Sequence, residues 1–426
     1  MPKLDLKYGL ENKPPFGELI LLGLQWLAIT IPVLIIIGKV VADLQFDDLI
    51  NQVNYLQKLS FVVGVALLCQ VLWGHRLPLV VGPAGVLLIG IVAVQSYDFH
   101  TIYTSIFIGG VILFLLGISG LFGRLVKLFT PRVVATILLL IAFTLSPTIL
   151  DLIVNSQQPY PLLNICFALG LVLCGFVADR CLPGIWKSTL IIWLVIAGSL
   201  IYFLISPLEF HFPKDNLKVI SFFFPWNFRF SFDPGVLTAF LFCFLALSIN
   251  DMGSIQSVGE MLHCERGGER LSRGIALTGL TNVLSGLSGV IGMVNFSLSP
   301  GVIASTGCAS RFTLIPTAVG LLILSFFPSV IAFMGTIPGV VIGSILLYLM
   351  STQIAAGLMV AVNTDEGITF EGGLVMGLPL MLGIIISFLP QEVSVLFPVS
   401  LRPILANGFV MGSIAVLILE HIVFKK

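Results

Sequence analysis

The segment Asn295-Phe296-Ser297-Leu298-Ser299-Pro300-Gly301 interrupts one of the long apolar stretches of the chain. Its polar and apolar residues alternate with a period of two, which predicts a short extended piece within the segment. Pro300 suits the first turn of a helix, so the pattern predicts a half-helix that begins near this residue. Inside a bilayer, such backbone is tolerated only where protein or a water-filled cavity surrounds it.

A similar interruption, Val80-Val81-Gly82-Pro83-Ala84-Gly85, lies in the first half of the chain. The first turn of a half-helix exposes backbone N–H groups, which bind electronegative ligand atoms. If the two breaks face each other near the membrane midplane, they form one central site. The predicted substrate-binding residues in the breaks are Pro83, Ala84, Gly85, Ser297, Leu298, Ser299 and Gly301.

The two breaks belong to a series of apolar runs. A hydrocarbon core of about 30 Å needs roughly 20 apolar residues as a helix. Fourteen runs are candidate spans, with the breaks in the third and tenth. The runs lie at 17–41, 55–74, 78–95, 101–123, 130–150, 161–178, 185–206, 234–259, 271–293, 295–309, 312–335, 338–360, 370–389 and 399–423.

Composition agrees with this reading. Of the 426 residues, 57% are hydrophobic and 10% are charged, whereas soluble domains carry about 25% charged residues. The chain is therefore predicted to be an all-α polytopic membrane protein, and nucleic-acid binding, disulfide scaffolds and disorder are excluded. No Ser/His/Asp, Cys/His or metal constellation occurs, so neither an enzyme, a metal site nor a cofactor is expected.

The spans divide seven and seven about a long connection at 207–233. An odd number of spans per half forces the second half, 234–426, to be inverted relative to the first, 1–206. Broken segments at matching places in inverted halves are typical of secondary-transporter binding sites. The alternative is that Gly and Pro are simply common in membrane helices.

Orientation follows from the distribution of Lys and Arg. With both termini in the cytoplasm, most basic residues fall on the cytoplasmic side, among them Lys7, Arg124, Arg311 and Lys426. The acidic loop around Asp365 disagrees, although acids weigh little in this rule. The prediction is a multi-pass protein of the inner (plasma) membrane.

Two polar residues within the spans, Asp251 and Gln25, are candidate ligands. Asp251 in span eight either binds a substrate N–H, a proton or a cation, or lies at the cytoplasmic end of the helix as a solvated cap or a partner for an Arg. Gln25 in span one either pairs with a heterocyclic amide or bonds a neighbouring helix. Arg402, near the start of span fourteen, is interpreted as interfacial.

The segments resemble the nucleobase–cation symporter 2 family, the nucleobase–ascorbate transporters that include uracil and xanthine permeases. The run Gly274–Gly289 resembles the span-nine motif of the family, and Asn295 with Gly301–Thr306 resembles its span-ten signature. Ile337-Pro338 with Gly343, and Ile354–Gly357, resemble span twelve, and Gln25 matches the span-one Gln.

The resemblance implies a fold shared with the sulfate permeases. It has fourteen spans in two inverted repeats, a core of spans 1–4 and 8–11, and a gate of spans 5–7 and 12–14. Substrate lies between short strands in spans three and ten. The resemblance also implies that the protein pairs with a second copy of itself as a homodimer.

The chain departs from the family pattern at its polar positions. The usual substrate-binding Glu of span eight is Asn250, which becomes a predicted binding residue, and Asp251 lies one position further on. The other departures are Trp26 for a His, Pro83-Ala84 for Ser-Ser, Leu298 for Glu or Gln, and Ser299 for Asn.

The resulting prediction is a permease for nucleobases such as uracil or xanthine, coupled to H⁺ or Na⁺. Gln25, Asn250 and the two breaks would hold the substrate, and Asp251 is the candidate coupling group. An anion transporter of sulfate-permease type and a non-transporting sensor are the alternatives.

Overall fold

The computed structural model describes residues 6–120, 128–154, 161–206, 219–222, 229–265, 267–296, 299–362, 369–398 and 401–424. Most of the predicted 207–233 connection lies outside these residues. The first half contains α1 (Phe16–Gln45), α2 (Leu49–Leu72), β1 (Val81–Pro83), α3 (Gly85–Ala93), α4 (Phe99–Ser119), α5 (Pro131–Thr144), α6 (Ser146–Val154), α7 (Pro161–Cys181), α8 (Gly184–Ser188) and α9 (Leu190–Ile205).

The second half repeats this order of elements. It contains α10 (Pro234–Met261), α11 (Gly267–Ser288), β2 (Met293–Asn295), α12 (Ser299–Thr306), a 3₁₀ turn (Arg311–Thr313), α13 (Leu314–Leu324), α14 (Pro328–Met334), α15 (Gly339–Val362), α16 (Phe370–Ser387), α17 (Gln391–Ser394), α18 (Arg402–Leu405), α19 (Gly408–Ile418) and a π turn (Leu419–Val423). In the described residues, eight helices are long and apolar enough to cross a membrane.

Four predicted spans besides the third and tenth are not single straight helices. The eleventh, predicted as one run over 312–335, consists of α13 and α14, and the Arg311–Leu324 and Pro328–Met334 pieces are bent by 101°. Pro328 lacks the N–H that would continue α13, so it starts a new helix instead. The fifth, seventh and fourteenth are also divided, into α5 and α6, α8 and α9, and α18 and α19.

The two strands form a short antiparallel ribbon in the interior. Val81 pairs with Asn295, Gly82 with Val294, and Pro83 with Met293. The prediction of an extended piece followed by a half-helix is confirmed at the first break. At the second break the half-helix is confirmed, because α12 begins at Ser299, next to Pro300. The strand there lies at 293–295, so it overlaps the quoted segment only at Asn295.

The strand of the second break is displaced because pairing decides its register. The N–H of Phe296 donates to the carbonyl of Val80, and the N–H of Ala84 donates to the carbonyl of Gly292. These bonds satisfy backbone groups that have no water to bind in a membrane interior. Residues 297 and 298, where the alternation was strongest, lie outside the described residues.

Helix packing repeats between the halves of the chain. α4 packs along α11 and α10, and α13 packs along α2 and α1. Likewise, α15 packs on α7 and α9, while α5 packs on α16 and α19. Exchanging each predicted span for the one seven places away converts one set of pairs into the other.

Candidate functional site

The ribbon places the starts of two half-helices beside each other. Ala84 precedes α3 without any side-chain cap, so the first N–H groups of α3 have no capping partner on that residue. A Cβ added at Gly85 would meet no atom within 4 Å, so the start of α3 faces open space. Pro83 and Ala84 are buried, and they shape this end through their backbone.

Ser299 has a different environment from Gly85. Its side chain is fully buried, and its hydroxyl accepts a hydrogen bond of 3.1 Å from the N–H of Val80. This bond ties the start of α12 to the residue just before β1. Gly301 lies in the first turn of α12, while Ser297 and Leu298 are outside the described residues.

Asp251 is completely buried and faces the outer edge of β2. The Asn295 N–H donates to Oδ1 at 2.9 Å, and the Asn295 amide group donates to the same oxygen. The Thr278 hydroxyl donates to Oδ2 at 2.7 Å. Of the two alternatives for Asp251, the solvated helix cap is therefore excluded, since three donors converge on a carboxyl group with no exposed surface.

A second polar group, His75, completes the bonds around Asn295. The Nε2 atom of His75 lies 3.0 Å from Oδ1 of Asn295. The other ring nitrogen, Nδ1, accepts from the N–H of Leu77 at 2.9 Å. Because Nδ1 accepts, the proton is on Nε2, and His75 donates to Asn295 as a neutral ring.

Two further side chains satisfy the outer edge of β2. Asn282 in α11 donates to the carbonyl of Met293 at 2.9 Å and accepts from its N–H at 3.0 Å. Ser254 in α10 donates to the carbonyl of Asn295 at 3.0 Å. An unpaired strand edge in a membrane interior is costly, and these side chains replace the missing neighbouring strand.

The residue just before Asp251 in α10 differs from it in exposure. Asn250 is half-buried, and its neighbour one turn on, Gly253, is exposed, with no atom within 4 Å of an added Cβ. Residues three apart share a helix face. Asp251 therefore bonds the protein interior, whereas Asn250 borders open space.

Gln25 in α1 carries a buried amide nitrogen, Nε2, that has no hydrogen-bond partner within the described part of the chain. A buried donor without an acceptor is costly unless a ligand or water completes it. Helix-to-helix bonding, the other alternative for Gln25, is not seen for this atom. The hydrogen-bonding capacity of this nitrogen is therefore unused among the described residues.

Sequence reasoning did not single out His75, Gln70, Thr278 or Asn282. Gln70 donates to the Thr278 hydroxyl at 2.9 Å, which extends the bonds around Asp251. The available signal was the one that selected Gln25, a polar side chain inside an apolar run. Within the residues that the structure describes, no group of three His, Cys, Asp or Glu side chains is placed to hold a metal ion.

Two solved transporter structures have a similar fold. The transmembrane domain of a cyanobacterium bicarbonate transporter, BicA, matches with a TM-score of 0.64 and 17% identity, covering 89% of this chain and 98% of that one. The murine Slc26a9 anion transporter, in the inward-facing state, matches with a TM-score of 0.60 and 13% identity, covering 96% of this chain and 69% of that one. At these identities the likeness establishes the fold alone.

Sequence relatives carry permease names. A xanthine permease of Bacillus subtilis is 26% identical, with 96% of this chain and 95% of the relative covered. The uric acid permease PucJ of the same organism is 24% identical over 87% of this chain and 85% of the relative. The xanthine permease XanQ of Escherichia coli is 24% identical over 98% and 94%.

The family model Xan_ur_permease, described as a permease family, matches residues 17–392. This range contains the ribbon, both half-helices, Gln25 and the residues around Asp251. The match covers well over half of the chain. The chain therefore belongs to the xanthine and uracil permease family, the nucleobase–cation symporter 2 family.

Proposed function

We propose that the protein carries nucleobases of the xanthine, uric acid or uracil type across the membrane by secondary active transport. Two observations carry this proposal beyond family membership. Gln25 presents a buried donor that has no partner among the described residues, and the uncapped start of α3 faces open space. Oxo-bases present carbonyl oxygens to such donors. The half-buried amide of Asn250 supplies both a donor and an acceptor to the same kind of ring.

Asp251 is proposed as the coupling group for H⁺ or Na⁺. In its surroundings, the described contacts are Thr278 and Asn295, and no cationic side chain forms an ion pair with it among the described residues. Because Asp251 holds the outer edge of β2, a change in its protonation or cation binding would reach the substrate through the ribbon.

Alternating access would come from two groups of helices moving against each other. The proposed core, spans 1–4 and 8–11, is α1–α4 with α10–α14, and the proposed gate, spans 5–7 and 12–14, is α5–α9 with α15–α19. Packing within each group and its repetition between halves support this division, with fourteen spans in two inverted repeats. A plasma-membrane location with both termini cytoplasmic, and a homodimer, belong to the same proposal.

Anion transport is the second candidate, because similar folds occur in a bicarbonate transporter and in Slc26a9. In addition, Asn250 replaces the Glu that the family usually has in span eight, and the carboxylate of that Glu would repel an anion. Against this candidate, the hydrogen bonds seen at the Ser299 hydroxyl join it to backbone groups, the N–H of Val80 and the carbonyl of Phe296. The family membership also favours bases.

Uptake into proteoliposomes tests both candidates. Purified protein would be offered labelled uracil, xanthine, guanine, adenine, urate, bicarbonate and sulfate, with and without an imposed proton or sodium gradient. We expect gradient-driven accumulation of at least one oxo-base. Uptake of bicarbonate or sulfate alone would favour the anion transporter, and no uptake of any solute would favour the sensor.

A further inference from the structure

A cavity with several polar lining residues lies at the far end of α3, away from the ribbon. Its volume is about 450 Å³, which is within the usual range for small-molecule sites. It is bordered by the end of α3, by α5 and α6, and by α16, α18 and α19. Its lining includes Gln95, Tyr97, Thr144, Thr148, Arg402 and Asn407.

Asn407 provides a donor aimed at no protein acceptor. The residue is 1% exposed, and its Oδ1 atom accepts from the N–H groups of Phe409 and Val410 at 3.1 and 3.2 Å. These bonds cap α19 and fix the orientation of the amide. The opposite atom, Nδ2, is buried and has no partner within the described residues.

Arg402 provides a second donor and a positive charge. Its Nη2 atom donates to the carbonyl of Val395 at 2.7 Å, while Nε is buried without an acceptor in the described part of the chain. None of the ion pairs seen among the described residues involves Arg402. A guanidinium group without a carboxylate partner is suited to an anionic or carbonyl-rich ligand.

The remaining lining adds the properties that a planar ring requires. Tyr97 presents an aromatic ring, and Thr144 and Thr148 present hydroxyl groups that both donate and accept. None of the described residues that line the cavity is Asp or Glu. The chemistry therefore favours a planar, acceptor-rich solute over an amine or a cation.

Position also favours a site on the transport route. Ile89, Val92 and Ala93 of α3 line the cavity, and Gly85 at the other end of α3 borders the ribbon. Ala93 lies eight positions after Gly85 on the helix, which corresponds to about 12 Å at 1.5 Å per residue. The two sites therefore lie at opposite ends of one short helix.

The repeated packing shows what this cavity replaces. α8 of the first half packs against α12 of the second half. Exchanging the two halves makes α18 and α3 the equivalent pair, and the cavity lies between these two helices. The cavity thus occupies a space that is closed between α8 and α12.

We propose that this cavity, lined by Arg402 and Asn407, is a second substrate site on the extracytoplasmic side, which binds anionic or carbonyl-rich oxo-bases before they reach the ribbon. The inference rests on the proposed function and on the proposed topology. It assigns substrate selection to the outer cavity in addition to Gln25 and Asn250.

The test uses Asn407→Asp and Arg402→Gln in the full-length protein. Aspartate keeps the oxygen that caps α19 but replaces the unpartnered donor with an acceptor. In right-side-out vesicles, we expect each variant to raise the KM for xanthine and urate about tenfold, the scale of one charge-assisted hydrogen bond. Vmax should be retained, and the KM for amine-rich adenine, where it is carried, should change less.

The matched control is Arg229→Gln, which removes a positive charge from an exposed residue that does not line the cavity. It should leave both KM values unchanged. In inside-out vesicles, Asn407→Asp should have the wild-type KM, because the ligand then approaches from the other side. Unchanged KM in right-side-out vesicles, or equal increases from both sides, would overturn the inference. Failure of the wild-type protein to carry any base would instead contradict the proposed function.

Discussion

At the scale of single residues, neighbouring positions on one helix separate two tasks. Asp251 bonds Asn295 and Thr278 inside the protein, whereas Asn250 is half-buried beside open space. A helix turns about 100° per residue, so adjacent polar residues point in different directions. One segment therefore supports the ribbon and also borders open space.

Asp251→Asn tests the coupling role. We expect the variant to lose gradient-driven accumulation but to retain exchange of labelled for unlabelled base, because its amide oxygen still accepts from Asn295. The measurement is accumulation and counterflow in the same proteoliposomes.

Thr278→Val is the comparison, since it removes one donor to Asp251 without removing the carboxyl group. It should slow both accumulation and exchange while the dependence on the gradient remains. If Asp251→Asn still accumulates substrate under a gradient, Asp251 is only a positioning residue for β2.

Gln25→Leu tests the unpartnered amide in α1. No protein hydrogen bond to Nε2 is lost among the described residues, so the melting temperature should stay near that of the wild type. The KM for a transported oxo-base should rise about tenfold, because a buried bond to the ligand is removed. A lower melting temperature with an unchanged KM would assign Gln25 to helix packing.

At the scale of elements, α4 and α11 approach each other closely through their glycines. A Cβ at Gly279 would lie 2.6 Å from Cα of Phe114 and 2.8 Å from the carbonyl oxygen of Gly110. A Cβ at Gly286 would lie 2.6 Å from the N atom of Phe107. Small residues let membrane helices approach closely, so the glycines of the span-nine motif are explained by packing.

Gly279→Ala should therefore destabilise the protein by about 1–3 kcal/mol, the usual cost of overpacking. Here backbone atoms oppose the new methyl group and cannot move aside as a side chain would. Thermal unfolding in detergent measures the effect. Gly170→Ala in α7 is the control, since its Cβ would meet no atom within 4 Å, and it should be neutral or slightly stabilising. Equal stability of both variants would contradict the close approach.

At the scale of the whole molecule, residues 7–11 near the N-terminus bond to the loop that follows α12. The N–H of Lys7 donates to the carbonyl of Gly307, and the N–H of Ala309 donates to the carbonyl of Tyr8. Glu11 forms an ion pair with Arg311 at 2.8 Å. The N-terminal segment therefore lies beside the loop that follows α12, and the charge pattern predicts that both are cytoplasmic.

Reporter fusions test this topology. A phosphatase that is active only outside the cytoplasm should be inactive when fused after Lys426 and active when fused after Asp48, between α1 and α2. A fluorescent protein that folds only in the cytoplasm should give the opposite pattern. Activity of the phosphatase after Lys426 would reverse the predicted orientation.

The sequence by itself determined the apolar spans, the two breaks and the membrane environment. These features follow from local rules, because each span must satisfy its own backbone in hydrocarbon and each Pro or Gly acts on its own turn. The same rules placed the half-helix after the first break correctly and selected Gln25 as a buried amide.

Only the tertiary structure decided the register of β2 and the surroundings of Asp251. The strand lies at 293–295 because its backbone pairs with Val81–Pro83, and no local pattern encodes a partner so distant in the chain. His75 bonds the side chain of Asn295 although the two residues are 220 positions apart in the chain. The cavity near Arg402 is lined by residues of α3, α18 and α19. Such contacts depend on how whole helices pack, so their physical cause lies in the assembled molecule and not in any one segment.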